Sequence, residues 1–245
     1  MKISRIKVRG HGETLESGWV ELDPTLTVIH FQKAASSNSF LRAIETINPP
    51  YDCLTVKPFA DFPKLINQNG LTKVISPHKR TISLSILEAS TELVRQLVQI
   101  SPLFYETDKI EIGRRLDHSR WLNFVELASS TRWSEVSADI SALLKTSTIP
   151  EITTGIKDYI ENLTPSDRIK GQLHQSLHLQ LSQLIVQTPQ KAAQLRSILS
   201  RVNRVDHFRK ARALLAKRIP LFVKIDTVNP GATRSFPALC YLLDR

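Results

Sequence analysis

The chain reads as an α/β fold, a mixed sheet with helices, joined to a helical hairpin region. Three observations predict it. Short β-branched runs alternate apolar and polar residues through the first third of the sequence. After Pro150 the apolar residues recur almost entirely at helical spacing. Forty-one percent hydrophobic and 23% charged residues over a length of 245 describe a globular chain of one or two domains, with enough apolar surface to offset the entropy of ordering.

The elements follow in order. KISRIKVRG alternates around Ile3, Ile6 and Val8 and predicts a first strand; Trp19, Val20 and Leu22 mark a second. Asp23-Pro24 is a turn, and the nearly continuous LTVIHF (26–31) predicts a buried third strand. A loop then leads into a helix carrying Phe40, Leu41, Ile44 and Ile47, which Asn48-Pro49-Pro50 stops. The proline-bearing stretch 51–80 is mostly loop, with a short helix near Phe62–Ile66. TISLSILEA is a strand, Thr91 opens a helix that ends at Ser101-Pro102, and KIEIG (109–113) is a short strand. Asp117 is placed to cap a helix with Trp121, Leu122, Val125 and Leu127, and Ser134 to cap another with Val136, Ile140, Leu143 and Leu144. Beyond Pro150 come a helix through Ile152, Ile156, Tyr159 and Ile160, a second from Leu173 to Ile185, and a third from Thr188-Pro189 to about Lys217. The last two form the hairpin. LFVKID (221–226) is strand-like, and Phe236–Leu243 predicts a closing helix.

Charge is the first functional signal. Thirty-three Lys and Arg oppose 23 acidic residues, for a net charge of +10. Between Pro165 and Arg218 eleven basic residues face only Asp167 and Asp206, so this stretch holds nearly the whole excess. Such a balance points to a polyanion, nucleic acid above all. The residues expected to meet phosphates are Arg196, Arg201, Arg204, Arg209, Lys210, Arg212, Lys217 and Arg218. A solvated helix surface is the competing reading. Phe208 is the one aromatic residue there, which favours backbone contact over base stacking. A second dense polar group, Arg114, Arg115, Asp117, Arg120 and Trp121, reads as an ion-pair network or an interaction surface.

Other classes recede. No apolar run approaches the roughly 20 residues of a membrane span, and the N-terminus has no apolar signal segment, so a cytoplasmic, membrane-free protein is expected. Cys53 and Cys240 are too few for a disulfide scaffold or a cysteine-built zinc site. His174 and His178 stand four residues apart, but HQSLH lacks the glutamate of a metalloprotease motif, and no metal is expected. Trp19, Trp121 and Trp133 read most simply as core or interface anchors.

In KISRIKVRG…VELDPTLTVIHFQKAASSNSFLRAI the strands, the Asp-Pro turn, an apolar strand, a loop and a helix stand in the order that frames a Walker A site. Over residues 1–48 this resembles the N-terminal region of the SMC/RecF-like branch of ABC-type, AAA-labelled ATPases. The resemblance implies an ABC-ATPase-like half-domain over 1–149, an inserted basic helical region over 150–218, and a strand and helix over 219–245 returning to the first domain. It also implies that the second lobe of a complete head is reduced, supplied by a partner, or absent from a fragment. The phosphate loop would be Gln32, Lys33, Ser37, Asn38 and Ser39, of which only Ser39 keeps the family's residue type. Gln32 and Ser37 replace glycines that let backbone N–H groups curl round a phosphate, and Asn38 replaces the lysine that meets its charge. Asp226 would be the Walker B acid, although Thr227 follows where the family has glutamate; alternatively Gly231 echoes the signature turn.

The expectation is a pseudo-ATPase without cofactor, binding DNA or RNA through its basic helices and a protein partner or a second copy of itself. The resemblance implies DNA maintenance, mobile-element or phage-defence biology. Two alternatives stand beside it: an ATPase that uses ATP and magnesium through an atypical loop or with a partner subunit, and an unrelated α/β nucleic-acid-binding module.

Overall fold

The computed structural model describes residues 1–11, 14–25, 27–32, 34–49, 77–117, 119–145 and 150–222. The chain divides into two compact units, one formed by Met1–Glu126 with the segment from Arg212 on, the other by Leu127–Ala211. The helical unit therefore starts well before Pro150.

The first unit is an α/β unit built on an antiparallel sheet. Its strands are β1 (Lys2–His11), β2 (Thr14–Glu16), β3 (Val20–Glu21), β4 (Thr81–Glu88), β5 (Lys109–Arg115) and β6 (Arg120–Phe124), in the order β2-β1-β4-β5-β6 with β3 also on β1. Every pairing among the described residues is antiparallel, where a mixed sheet was expected. Helix α2 (Thr91–Ile100) lies between β4 and β5 in sequence, yet it does not make a parallel crossover: Ala89 N–H donates to the Asp108 carbonyl, so the chain returns beside the point where it left. Ser90 caps α2 by accepting from Leu93 N–H.

Register sorts the two sheet faces. Ile6 pairs with Ser85 and Val8 with Ser83, and both apolar residues pack with Phe40 and Ala43 of α1 (Ala34–Glu45). On the opposite face stand Arg5, Lys7 and Arg9 of β1, then Leu84 and Ile86, then Glu111 and Gly113, then Trp121 and Asn123. β4 is buried along nearly its whole length, as a central strand should be.

Two expectations in this unit are corrected. Residues 27–31 are not a strand, and Val28 is 67% exposed. Ile29 and Phe31 do turn toward the α1 cluster, but β1 already carries β4 on one edge and β2 and β3 on the other, so the segment finds no free edge on β1. The stretch after Asp117 is a strand, not a helix. Asp117 accepts from Ser119 N–H at 3.0 Å, and Arg115 N–H donates to the Ser119 carbonyl at 2.8 Å, closing a tight turn between β5 and β6.

The second unit holds α3 (Ser137–Leu144), α4 (Pro150–Ile160), α5 (Gly171–Ser182), α6 (Pro189–Val202) and the first turns of α7 (Arg204–Ala216). Its core joins Trp133, Ile140, Leu144, Ile156, Leu177, Leu181, Ile198 and Val202. Ser134 lies in a short 3-10 turn and does not cap α3. Thr188 caps α6 as expected, accepting from Lys191 N–H at 3.3 Å. The single long helix expected through Lys217 is broken at Asn203. Its N–H closes α6 on the Leu199 carbonyl, its carbonyl accepts from His207 N–H to start α7, and its Oδ1 meets His174 Nε2 at 3.2 Å.

Candidate anion-binding cleft

The polar group Arg114–Trp121 and the end of the basic stretch meet in the first unit. A cleft of about 560 Å³ is lined by Arg115, Arg120, Trp121, Leu122 and Asn123 of the β5–β6 hairpin with Arg212, Ala216 and Ile219. Neighbours on a strand point to opposite faces, yet Arg120, Trp121, Leu122 and Asn123 all reach it. Among the described residues β6 pairs only with β5, so the cleft lies along its open edge.

Each guanidinium donates at least one hydrogen bond to a neutral group. Arg120 Nη1 donates to Asn48 Oδ1 at 2.8 Å. Asn48 in turn donates from Nδ2 to the Ile219 and Pro220 carbonyls, each at 3.1 Å, and its own carbonyl accepts from Phe222 N–H. Asn48, three residues beyond the end of α1, thus ties Arg120 to the segment carrying Ile219. Arg212 Nη2 donates to Asn123 Oδ1 at 3.2 Å, and Arg115 Nη1 to Ser119 Oγ at 3.3 Å. Behind them Arg114 donates from Nε to the Thr46 carbonyl at 2.6 Å and from Nη2 to the Ile47 carbonyl, meeting the negative end of α1.

The electrostatics follow. Among the described residues no carboxylate lines the cleft. Loss of water lowers the pKa of Arg120 and of Arg212, and of Arg114, which Arg120's charge depresses further. Guanidinium ionises so far above neutrality that all three stay charged at pH 7. Asp117 stands at the turn, its pKa held down first by hydrogen bonds from Ser119 and in smaller part by Arg115. Positive charge in a partly dry wall gives an entering anion a stronger attraction than the same charge in open water.

Trp121 supplies the apolar wall. Its Nε1 donates to Thr81 Oγ1 at 2.9 Å, and its ring lies against Gly113, where an added Cβ would come within 2.6 Å of Cε2 and Nε1. Only glycine opposite Trp121 permits this seat.

The basic helices look different once their partners are seen. Arg201 pairs with Asp139 and donates from Nη1 to the Glu135 carbonyl at 2.7 Å; Arg204 pairs with Glu135 at 3.4 Å. Arg209 meets Asp206 one turn back, at 3.0 Å. Arg196, Lys210, Lys217 and Arg218 are exposed. Part of the excess charge therefore holds the helical unit together. Arg5, Lys7 and Arg9 on the sheet face opposite α1 likewise pair with Glu21 and Glu16, and Arg5 also lies over Trp19 at 4.8 Å.

Of the loop residues, Gln32 is in a bend before α1, whereas Ser37, Asn38 and Ser39 lie inside that helix. Ser39's carbonyl is 2.6 Å from His11 Nδ1. Lys33, Asp226 and Gly231, the short helix near Phe62–Ile66 and the closing strand and helix fall outside the described residues. His174 is buried against Asn203, and no group of three metal-ligating side chains occurs among the described residues. No described helix is long and apolar enough to cross a membrane.

No family model, curated protein or solved structure matches this chain.

In the sequence Arg114–Trp121 and Arg212 stand as separate features, and of the two asparagines that hydrogen-bond the guanidiniums Asn123 does not stand out at all. The one local signal was Asn48 itself, legible as a helix stop but not as an anchor for Arg120.

Proposed function

We propose that this chain is a non-catalytic nucleic-acid-binding protein that holds phosphate groups in the Arg115–Arg120–Arg212 cleft. The carrying observation is the convergence of three guanidiniums on one cavity with no carboxylate among its described lining residues. The net charge of +10 supports the same reading by drawing polyanions from a distance. The exposed Arg196, Lys210, Lys217 and Arg218 add phosphate contacts of the sequence-independent kind. The ATP alternative has less behind it. The strand ahead of the loop is not formed, and Ser37–Ser39 sit in a helix with their backbone groups committed to it.

The test is anisotropy of a labelled oligonucleotide across a salt series. Affinity should fall linearly on logarithmic axes as salt rises. Arg115→Gln and Arg120→Gln should each weaken binding and reduce the salt slope by about one. Equal binding by both variants would remove the cleft from the function. Micromolar ATP affinity in the presence of magnesium would restore the nucleotide reading.

A further inference from the structure

We infer that the cleft takes one nucleotide unit of an unpaired strand, with its phosphate on Arg115, Arg120 and Arg212 and its base against Trp121. The inference rests on the phosphate reading above and adds the base. A purely electrostatic phosphate contact needs no enclosing wall, since it is made at the surface. Here the arginines line a half-open cleft of about 560 Å³, a size that a small organic ligand fills. Its apolar lining is Trp121, Leu122, Ala216 and Ile219. The indole is fixed on one side by Gly113 and by its bond to Thr81, so the ring surface turned away from Gly113 is what it offers the cleft. A pre-fixed aromatic ring beside phosphate-binding cations is the pairing that single strands use, because every base has a face to stack. In a duplex those faces are already stacked on neighbouring bases. Asn123, whose Oδ1 receives Arg212 Nη2, keeps an amide N–H₂ to donate toward a base edge.

The experiment compares oligothymidylate with an abasic strand of the same length and charge, on the full chain. Oligothymidylate should bind at least about 5-fold tighter, the worth of one stacked base. Trp121→Leu should erase that ratio. Trp121→Phe keeps a ring but not the Nε1 bond, and should retain most of the ratio. Should Trp121→Leu not fold, tryptophan emission of the unaltered chain still separates the cases: oligothymidylate quenches it and the abasic strand does not. Equal affinity and equal emission for the two strands would overturn the stacking while leaving phosphate binding in place. Unchanged binding of the abasic strand by the Arg115→Gln/Arg120→Gln double variant would instead sink the phosphate reading. Thymidine monophosphate displacing the strand at matched nucleotide concentration would overturn the strand as ligand in favour of a free nucleotide.

Discussion

Arg212 donates from Nη2 to Asn123 Oδ1 at 3.2 Å, linking helix α7 to the edge strand β6 across 89 residues of sequence. That bond turns a residue from the basic stretch into part of a cavity wall. It is a charged-to-neutral hydrogen bond, one of the contacts that hold the guanidinium in place. Asn123→Ala should therefore leave Arg212 charged but poorly aimed. The expected outcome is a loss of roughly 3- to 10-fold in oligonucleotide affinity, the worth of about 1 kcal/mol of positioning, with the salt slope unchanged. Anisotropy across a salt series measures both quantities. A drop in slope would mean that the charge itself had left the site.

The strands β1, β4 and β5 and helices α1, α2 and α6 were legible because each is written in one local pattern, such as TISLSILE or Thr188-Pro189 ahead of an amphipathic run. The departures arose where tertiary supply decided. LTVIHF has the composition of a buried strand, but both edges of β1 were taken. Arg120–Phe124 has helix-compatible spacing, but a turn closed by Asp117 and Ser119 set it beside β5. The cleft was half visible. Its arginines and Trp121 stood out as dense charge, whereas their meeting with Arg212 depends on pairing between distant segments that no local window contains. For the same reason Arg201 looked like a free cation: Asp139, its partner, lies 62 residues upstream.

Gly113→Ala tests the seat of Trp121. The new Cβ would lie 2.6 Å from the indole, on the buried side of the ring, and only displacement of the ring relieves it. Overpacking of this kind costs about 1–3 kcal/mol, and here the Nε1 bond to Thr81 goes as well. A lower thermal midpoint and a shifted tryptophan emission maximum are expected together. Unchanged emission would mean that the ring does not rest on Gly113.

Arg201→Ala separates structural from binding charge. Arg201 reaches Asp139 and the Glu135 carbonyl, with 30% of its side chain exposed. Removing it leaves both acceptors in partial contact with solvent, so a cost of about 1–2 kcal/mol is expected. Oligonucleotide affinity should change less than 2-fold, about 0.4 kcal/mol. Denaturant unfolding and anisotropy on the same variant distinguish the two roles. A large affinity loss without loss of stability would return Arg201 to the binding surface.

Glu111 offers a pH test of the sheet face opposite α1. It pairs directly with Ile86 and with Asn123, in one cross-sheet row with Arg5. Loss of water raises its pKa above the ordinary glutamate value, while Arg5 and Arg9 pull the other way without prevailing. A carboxyl whose folded pKa is raised binds its proton more tightly in the folded state. The stability this adds is complete below the unfolded pKa and disappears as pH rises through the folded pKa. Glu111→Gln carries no charge at any pH and escapes that loss. The variant should match the parent in acid and become the more stable of the two as the pH passes above the raised value. Urea unfolding over a pH series reads the difference directly. A gap of opposite sign at neutral pH would show that the attraction of Arg5 and Arg9 outweighs the cost of drying the carboxylate.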